Sequence, residues 1–406
     1  MCKLKIYTVF LFTFINVLLV FNGMSFADNA QVMPKGMHRA ELQNKFWFPI
    51  TQGYTSEGEK VDIGSAYTAP LDSNGIAALA ALENAAGMSP GSATLGHTDI
   101  EMSFNYNDLI LYYQYGVTDK LTVGTEIPYF WQWTDVKRAT VNTDNATVGI
   151  NLSGQGSPLL PIGAGGTANG DMAMEMLQGQ LQQLGYQRIE DWDSSGFGDI
   201  RAGFRYQYLQ QNPYLLAVTG GVTIPTGAVD DPDSFVDIEF GEGAWGLFVH
   251  SNNDYTGISN LVLNLTLRYE HYLTGSQDRR MPESSASFLS ARKESIRVQL
   301  GDKVECELSS TYNFSEAISM DLMYRFAYQA DDSVAGATNY DYSVFSKDTF
   351  REEQVGRVGL SYSTIPAFKR DEFALPLVTS IEYRDRFAGK NVSVSRYIRL
   401  KVAIFF

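Results

Sequence analysis

Three groups of residues in this 406-residue chain combine types and spacings that could do chemistry. The first is His250-Ser251-Asn252, which sets a base beside a hydroxyl nucleophile. Serine hydrolysis needs the imidazole within hydrogen-bond reach of the serine oxygen, so the two must share a face. In extended chain, adjacent residues face opposite sides and residues two apart share one. His250 and Ser251 are adjacent, and His38, His97 and His271 have no serine two residues later. The spacing excludes a His-Ser hydrolase on a strand face, and the chain is read as not an enzyme.

The second is the run 226–242, which carries Asp230, Asp231, Asp233, Asp237, Glu239 and Glu242 with no Lys or Arg. Clustered oxygen donors suit Ca²⁺. They equally suit a solvated acidic loop, and no residue is assigned to a metal, a cofactor or catalysis. The third group is dispersed: Arg39, Glu41, Lys45, Glu126, Asp199, Arg201, Arg205, Arg268, Glu270, Glu305, Glu307, Asp321, Arg325, Arg357, Glu382, Arg384, Arg399 and Lys401. Each sits on the polar side of a segment whose other side is apolar. Ten cations against eight anions on one surface would make either a charged pathway for solutes or a set of salt bridges filling a closed space.

The elements that must position these residues follow from a period of two. In 261–270, Leu261, Leu263, Leu265, Leu267 and Tyr269 alternate with Val262, Asn264, Thr266, Arg268 and Glu270. Such alternation marks a strand with one apolar and one polar face. The last segment has Ile398, Leu400, Val402, Ile404 and Phe406 on one face, with Tyr397, Arg399 and Lys401 on the other. This terminal pattern resembles the C-terminal signal by which the barrel-assembly machinery takes up bacterial outer-membrane β-barrels.

Twelve segments alternate in this way: 37–49, 98–117, 121–134, 197–210, 213–225, 243–251, 259–272, 302–313, 317–330, 355–365, 373–386 and 391–406. Short polar turns, among them 118–120, 211–212, 252–257 and 315–316, take turns with long connections at 50–97, 135–196, 226–242, 273–301 and 331–354. Transmembrane barrels have an even number of strands, short periplasmic turns and longer outer loops. The expected fold is all-β: a transmembrane antiparallel barrel of about twelve strands, forming a single domain over 28–406 with 28–36 as a periplasmic N-terminal segment. Outward aromatics gather at both ends. Tyr113, Tyr115, Tyr206, Tyr208, Tyr312 and Phe406 lie at the short-turn end, and Tyr129, Trp131, Trp133, Tyr269 and Tyr383 at the long-loop end, as two headgroup layers require. In 98–117 the apolar parity flips between Ile100/Met102/Phe104 and Leu109/Leu111/Tyr113. This predicts a bulge near Asn107 or a strand projecting above the membrane.

Composition agrees. Aromatic residues make up 13% of the chain and charged residues 19%, yet mean hydropathy is only −0.15, as expected when lipid-facing and lumen-facing positions cancel. The formal charge of −15 argues against a nucleic-acid partner. Residues 1–27 read as a secretory leader: Lys3 and Lys5, an apolar stretch from Ile6 to Phe21, and Ser25-Phe26-Ala27 for cleavage. Its removal takes Lys3 and Lys5 from the 31 basic residues and none of the 46 acidic ones, giving a net charge of −17 with Cys306 as the one thiol. The expected location is the outer membrane of a Gram-negative cell, in contact with lipid and lipopolysaccharide.

Two loops carry helical signals. Asn74 is placed to cap 75–86, which Gly87 ends, and 171–184 puts Met174, Leu177, Leu181 and Leu184 on one stripe. Either would form a lid or merely pack the loops. Pro128 interrupts a strand, where a kink would open a lateral path into the bilayer.

With the strands placed, four strings resemble the outer-membrane transporter family named for the MetA pathway of phenol degradation. They are Tyr54-Thr55-Ser56-Glu57-Gly58-Glu59-Lys60-Val61-Asp62, Tyr115-Gly116-Val117-Thr118-Asp119-Lys120-Leu121, Gly196-Phe197-Gly198-Asp199-Ile200 and Gly221-Val222-Thr223-Ile224-Pro225-Thr226-Gly227. The resemblance implies passive uptake of small molecules, hydrophobic or aromatic ones among them, without a cofactor. The competing reading is a non-conducting barrel serving structure, adhesion or complex assembly through acidic outer loops.

Overall fold

The computed structural model describes residues 29–281, 289–338 and 340–406. The leader expected at residues 1–27 lies outside the described residues.

Twelve strands close into one antiparallel barrel. They are β1 (His38–Trp47), β2 (Thr94–Thr118), β3 (Leu121–Asn142), β4 (Ile200–Gln211), β5 (Tyr214–Ile224) and β6 (Gly246–Ile258). The other half is β7 (Leu261–Tyr272), β8 (Lys303–Asn313), β9 (Ile318–Gln329), β10 (Arg351–Ser363), β11 (Leu377–Lys390) and β12 (Arg396–Phe405). Every strand pairs with its neighbours in sequence, and β1 closes the ring on β12 with Phe46 opposite Ile398 and Leu42 opposite Val402. Closure gives every strand of the ring a partner on both edges, the condition for strands in hydrocarbon.

Exposure identifies the solvent on each side. Leu263, Leu265 and Leu267 of β7 are 39%, 37% and 47% exposed, while Asn264 and Thr266 between them are 4% and 0%. A sheet in water would show the reverse, so the apolar face meets lipid and the polar face lines the interior. The aromatics of both belts point outward, and at the short-turn end His38 stacks on Phe406 at 5.2 Å between ring centroids. Cys306 stands on the lipid side, opposite Leu267 and Phe326.

The parity flip in β2 is not a register change near Asn107. Pairing with β3 runs unbroken from Met102–Val136 down to Gly116–Thr122, and the two register shifts lie at the ends of that stretch, between Glu101 and Met102 and between Gly116 and Thr118. β2 has 25 residues and β3 has 22, against the roughly 9–11 that span a bilayer. The outer halves of both strands stand above the membrane. There the environment inverts while the faces do not: Ile100 and Met102 point inward into an apolar core, and Glu101 points into water.

Two further expectations are corrected. The polar run 252–257 is not a turn, because β6 continues to Ile258 and Asn260 makes the reversal with φ 61°. Asn252 and Asp254 are polar because they face the interior, where both are buried. Asn74 does not cap its helix: α1 (Ala77–Ala86) starts after Ile76 with no side-chain cap, and Asn74 instead hydrogen-bonds Asp72. Gly87 does end it, in the left-handed conformation. The second helix, α2 (Gly170–Gln183), is capped by Asn169, which accepts a hydrogen bond from the Met172 N–H, and it buries Met174, Leu177 and Leu181. The connection after β10 adds a short third helix, α3 (Ile365–Lys369).

Candidate functional site

The interior has three levels, each built by different elements. At the outer level, the connections after β1, β3 and β5 pack together over the barrel. Leu79 and Leu82 of α1 and Met174, Leu177 and Leu181 of α2 join Ile100 and Met102 of β2, Val141 of β3 and Val236 in one buried apolar cluster. A cavity of about 620 Å³ opens in this cap, walled by Tyr67, Thr98, Ile100, Leu177, Leu181, Ile189, Phe235 and Leu289. Apolar walls with a few polar groups, here Thr98, Asp72 and Asn74, and a volume between roughly 300 and 1,000 Å³ are the usual attributes of a small-molecule site.

One side chain ties the cap together. The buried Arg280 guanidinium donates to the carbonyls of Leu184, Gly185 and Ser290 at 2.7 Å each, and to Asp233 Oδ1 at 2.7 Å. Its plane lies 3.7 Å from the Tyr186 ring centroid. The acidic run expected to face solvent or Ca²⁺ is largely engaged by protein. Asp233 also takes Lys293 at 2.7 Å, Asp230 pairs with Arg279, and Asp231 takes Gln187 at 3.0 Å. Among the described residues, no group of three or more His, Cys, Asp or Glu is arranged to hold a metal ion.

The same run folds onto the inner face of β3. Thr134 donates to the Val236 carbonyl at 2.6 Å, and Gln132 donates to the Glu239 carbonyl at 3.3 Å. Asp199, expected on the lumen wall, accepts the N–H groups of Gly227 and Glu242, both at 2.9 Å, and anchors the run's two ends. Burial, with Glu242 next, pushes the Glu239 carboxyl up to about 7, Arg351 pulling the other way. Burial, followed by Asp230 and Asp237, pushes the Tyr67 hydroxyl up to about 12. Pro128 sits where β3 changes partner, from β4 through Glu126 to the strand Trp192–Phe197 from Tyr129 onward. Its carbonyl accepts Gly198 N–H at 3.0 Å, and Phe130 and Phe240 lie beside this break, their ring centroids 6.3 Å apart.

The middle level is charged. On the wall from β9 through β12 and β1, Glu382 receives Arg399, Lys401 and, at 3.7 Å, Arg357. Arg357 also reaches Asp321 at 3.2 Å. Arg39 pairs with Glu41, and Lys45 pairs with Asp108 at 2.6 Å. A second network links Arg268 to Glu305 and Glu307 at 3.2 and 3.0 Å, and Arg325 to Glu305 at 3.5 Å. Glu353 continues it, with Arg325, Arg386 at 2.7 Å and Arg384 at 3.8 Å. Arg201 pairs with Glu270 at 3.4 Å, Arg205 donates to Thr219 at 2.9 Å, and Glu126 is hydrogen-bonded to Tyr112. The structure thus gathers most of the expected charges into two networks and leaves Arg201, Glu270, Arg205 and Glu126 in smaller groups. Glu353, Arg386, Asp108 and Lys303, which pairs with Glu305 at 2.8 Å, take part in these contacts and are absent from the alternation reading.

The inner level is a floor. Residues 30–37 enter the lumen beneath these charges. Ala30 N–H donates to Asp254 at 3.1 Å, Gln207 donates to the Ala30 carbonyl at 2.9 Å, and Met33 N–H donates to Thr122 at 2.7 Å. Met33 also packs against Val378, Ala403 and Phe405. Because Thr122 lies on β3 and Val378 on β11, the segment spans the interior between them.

A family model described as "Putative MetA-pathway of phenol degradation" matches residues 163–395, more than half of the chain. The strings beginning at Gly196 and Gly221 lie inside that match, and those beginning at Tyr54 and Tyr115 precede it. A crystal structure of an outer membrane channel from Pseudomonas putida F1 is similar with a TM-score of 0.54 and 14% identity, covering 95% of this chain and 100% of that one. This likeness is one of fold. A toluene transporter from Ralstonia pickettii aligns with a TM-score of 0.37 and 10% identity over 92% of this chain and 90% of that one. No curated protein matches the chain.

Proposed function

The chain belongs to the MetA-pathway phenol-degradation family, and from that premise we propose that it is a passive outer-membrane channel for small hydrophobic or aromatic molecules. The observation that carries this reading is the apolar cavity of about 620 Å³ held above a polar lumen. A dilute apolar solute gains by leaving water for such a cavity, by roughly 25 cal/mol for each Å² of apolar surface removed from water. It would then move inward past the charged wall and the 30–37 floor, with its concentration gradient as the only driving force. No bond is made or broken. Export by a cleaved leader, insertion by the barrel-assembly machinery through the terminal alternation, and contact with lipopolysaccharide belong to the same proposal.

The non-conducting alternative draws on one observation, the 30–37 segment at the inner end of the lumen. The test is uptake of radiolabelled phenol from dilute solution into vesicles with a lipopolysaccharide outer leaflet. Ala66→Trp would fill the cavity rim from an exposed position. The proposal expects wild-type protein to raise the uptake rate and the variant to lower it several-fold; equal rates with and without protein would reject it.

A further inference from the structure

Glu353 collects three guanidinium groups, and they are not equally satisfied. Arg325 and Arg386 make short pairs with it, Arg386 at 2.7 Å, and Arg386 also donates to the Ser393 carbonyl at 2.8 Å. Arg384 stands furthest from it. Its closest carboxylate oxygen in an ion pair is 3.8 Å away, beyond hydrogen-bond reach, and it makes no hydrogen bond to a described residue. Its inward side chain is nonetheless mostly buried, with relative exposure of 11%. A guanidinium holds five donors in a planar fork that fits a carboxylate in bidentate fashion. No Arg384 nitrogen is both fully enclosed and unpartnered, so its donors stay open to water or a solute in the lumen.

What lies beside Arg384 limits what that solute can be. Its guanidinium stands 5.3 Å from the Tyr397 ring centroid, and Lys45 Nζ approaches the same ring at 5.6 Å. The Trp47 ring is 4.6 Å from Tyr397 and 5.6 Å from Tyr106. Trp47 and Tyr106 are only half-buried, so ring surface remains open to the interior. Strands β1, β2, β11 and β12 therefore bring a guanidinium with donors open to the lumen and a row of aromatic faces to one patch of wall. Offset and edge-to-face ring contacts add to area burial, and a charge-assisted bidentate bond adds specificity.

We propose that this patch is a binding subsite for small aromatic monoanions, an aromatic carboxylate with its charged group on Arg384 and its ring against Trp47 and Tyr106. The inference rests on the channel reading and narrows it: the outer cavity offers mainly apolar surface, whereas the lumen selects for an anion joined to a ring. Binding, not chemistry, is involved, so no co-reactant is needed.

The experiment uses the full chain in detergent micelles and reads quenching of tryptophan fluorescence by benzoate, benzyl alcohol and acetate. Trp47→Phe identifies the signal that belongs to the patch. Wild-type protein should bind benzoate saturably and more tightly than either other solute. Arg384→Gln should reduce the benzoate-to-benzyl alcohol preference about tenfold, the size expected for losing one strong charge-assisted contact. Arg384→Lys, which keeps the charge and the fold but loses the fork, should fall between. Three results would overturn the inference: equal affinity for benzoate and benzyl alcohol, equal affinity for benzoate and acetate, or an unchanged preference in Arg384→Gln. Flux of phenol in vesicles is scored separately. Flux without the Arg384 preference removes this inference alone, and no flux at all removes the channel reading beneath it.

Discussion

Single residues decide how tightly the outer end is closed. Arg280 satisfies four loop carbonyls and Asp233 at once, so Arg280→Ala strands buried acceptors as well as deleting an ion pair. Breaking a buried pair of this kind costs about 3–5 kcal/mol. The expected result is faster proteolysis and hydrogen exchange in 143–199 and 225–245 with the barrel strands unchanged. Equal protection in the variant would refute the role given to Arg280. Glu239 supplies a pH dependence whose sign can be worked out. Burial and Glu242 raise its carboxyl from an ordinary 4.5 to about 7, against Arg351 on β10 and Arg279 in the connection after β7. Asp230 adds to the upward shift, and Tyr106 of β2 senses the same charge. With the run released, Glu239 ionises near its ordinary value; packed, it stays protonated to about 7. The packed state therefore loses stability as pH rises between those values, and the loss is complete above the upper one. Labelling of a cysteine at Ser234 should speed up more steeply over that window in wild type than in Glu239→Gln, which keeps the rise that thiolate formation and Asp237 contribute. The same slope in both proteins would contradict this assignment.

At the scale of elements, the strands were legible and their surroundings were not. Alternation located all twelve, because a two-residue period with lipid on one side leaves little freedom in register. It misjudged places where polarity has a different cause. Asn252 and Asp254 look like turn residues, yet they are interior positions of β6. In β2, Ile100 and Met102 suggest lipid contact until α1 and α2 are known to pack on them, and no local pattern announces that packing. Glu353 falls two residues before the expected start at 355, Arg386 lies at the limit of its segment, and the polarity flip hides Asp108, so the charged networks were foreseen without these members. The inverted environment along β2 can be tested by substitution. Leu111→Arg, on the lipid face, should cost about 2–4 kcal/mol near the bilayer midplane. Glu101→Leu, higher on the same outward face, should cost under about 0.5 kcal/mol, as an exposed site does. Guanidinium unfolding in liposomes checks both, and similar costs would contradict a strand that leaves the membrane.

For the molecule as a whole, charge and closure act together. The chain is acidic at −15, but the acids of 226–242 are drawn into contacts within the cap, while the lumen wall is laced with arginines. A solute meets an apolar cavity first, charged side chains second and the 30–37 floor last, and the proposed function requires that this series can be crossed. Single-channel conductance in planar bilayers tests that requirement most directly, using the full chain beside a variant in which a short Gly-Ser linker replaces α2. A conducting path gives small, discrete conductance steps for the full chain and larger ones once α2 no longer closes the cap. A silent bilayer with both proteins, folded and inserted, would contradict a conducting path and leave the barrel a structural one.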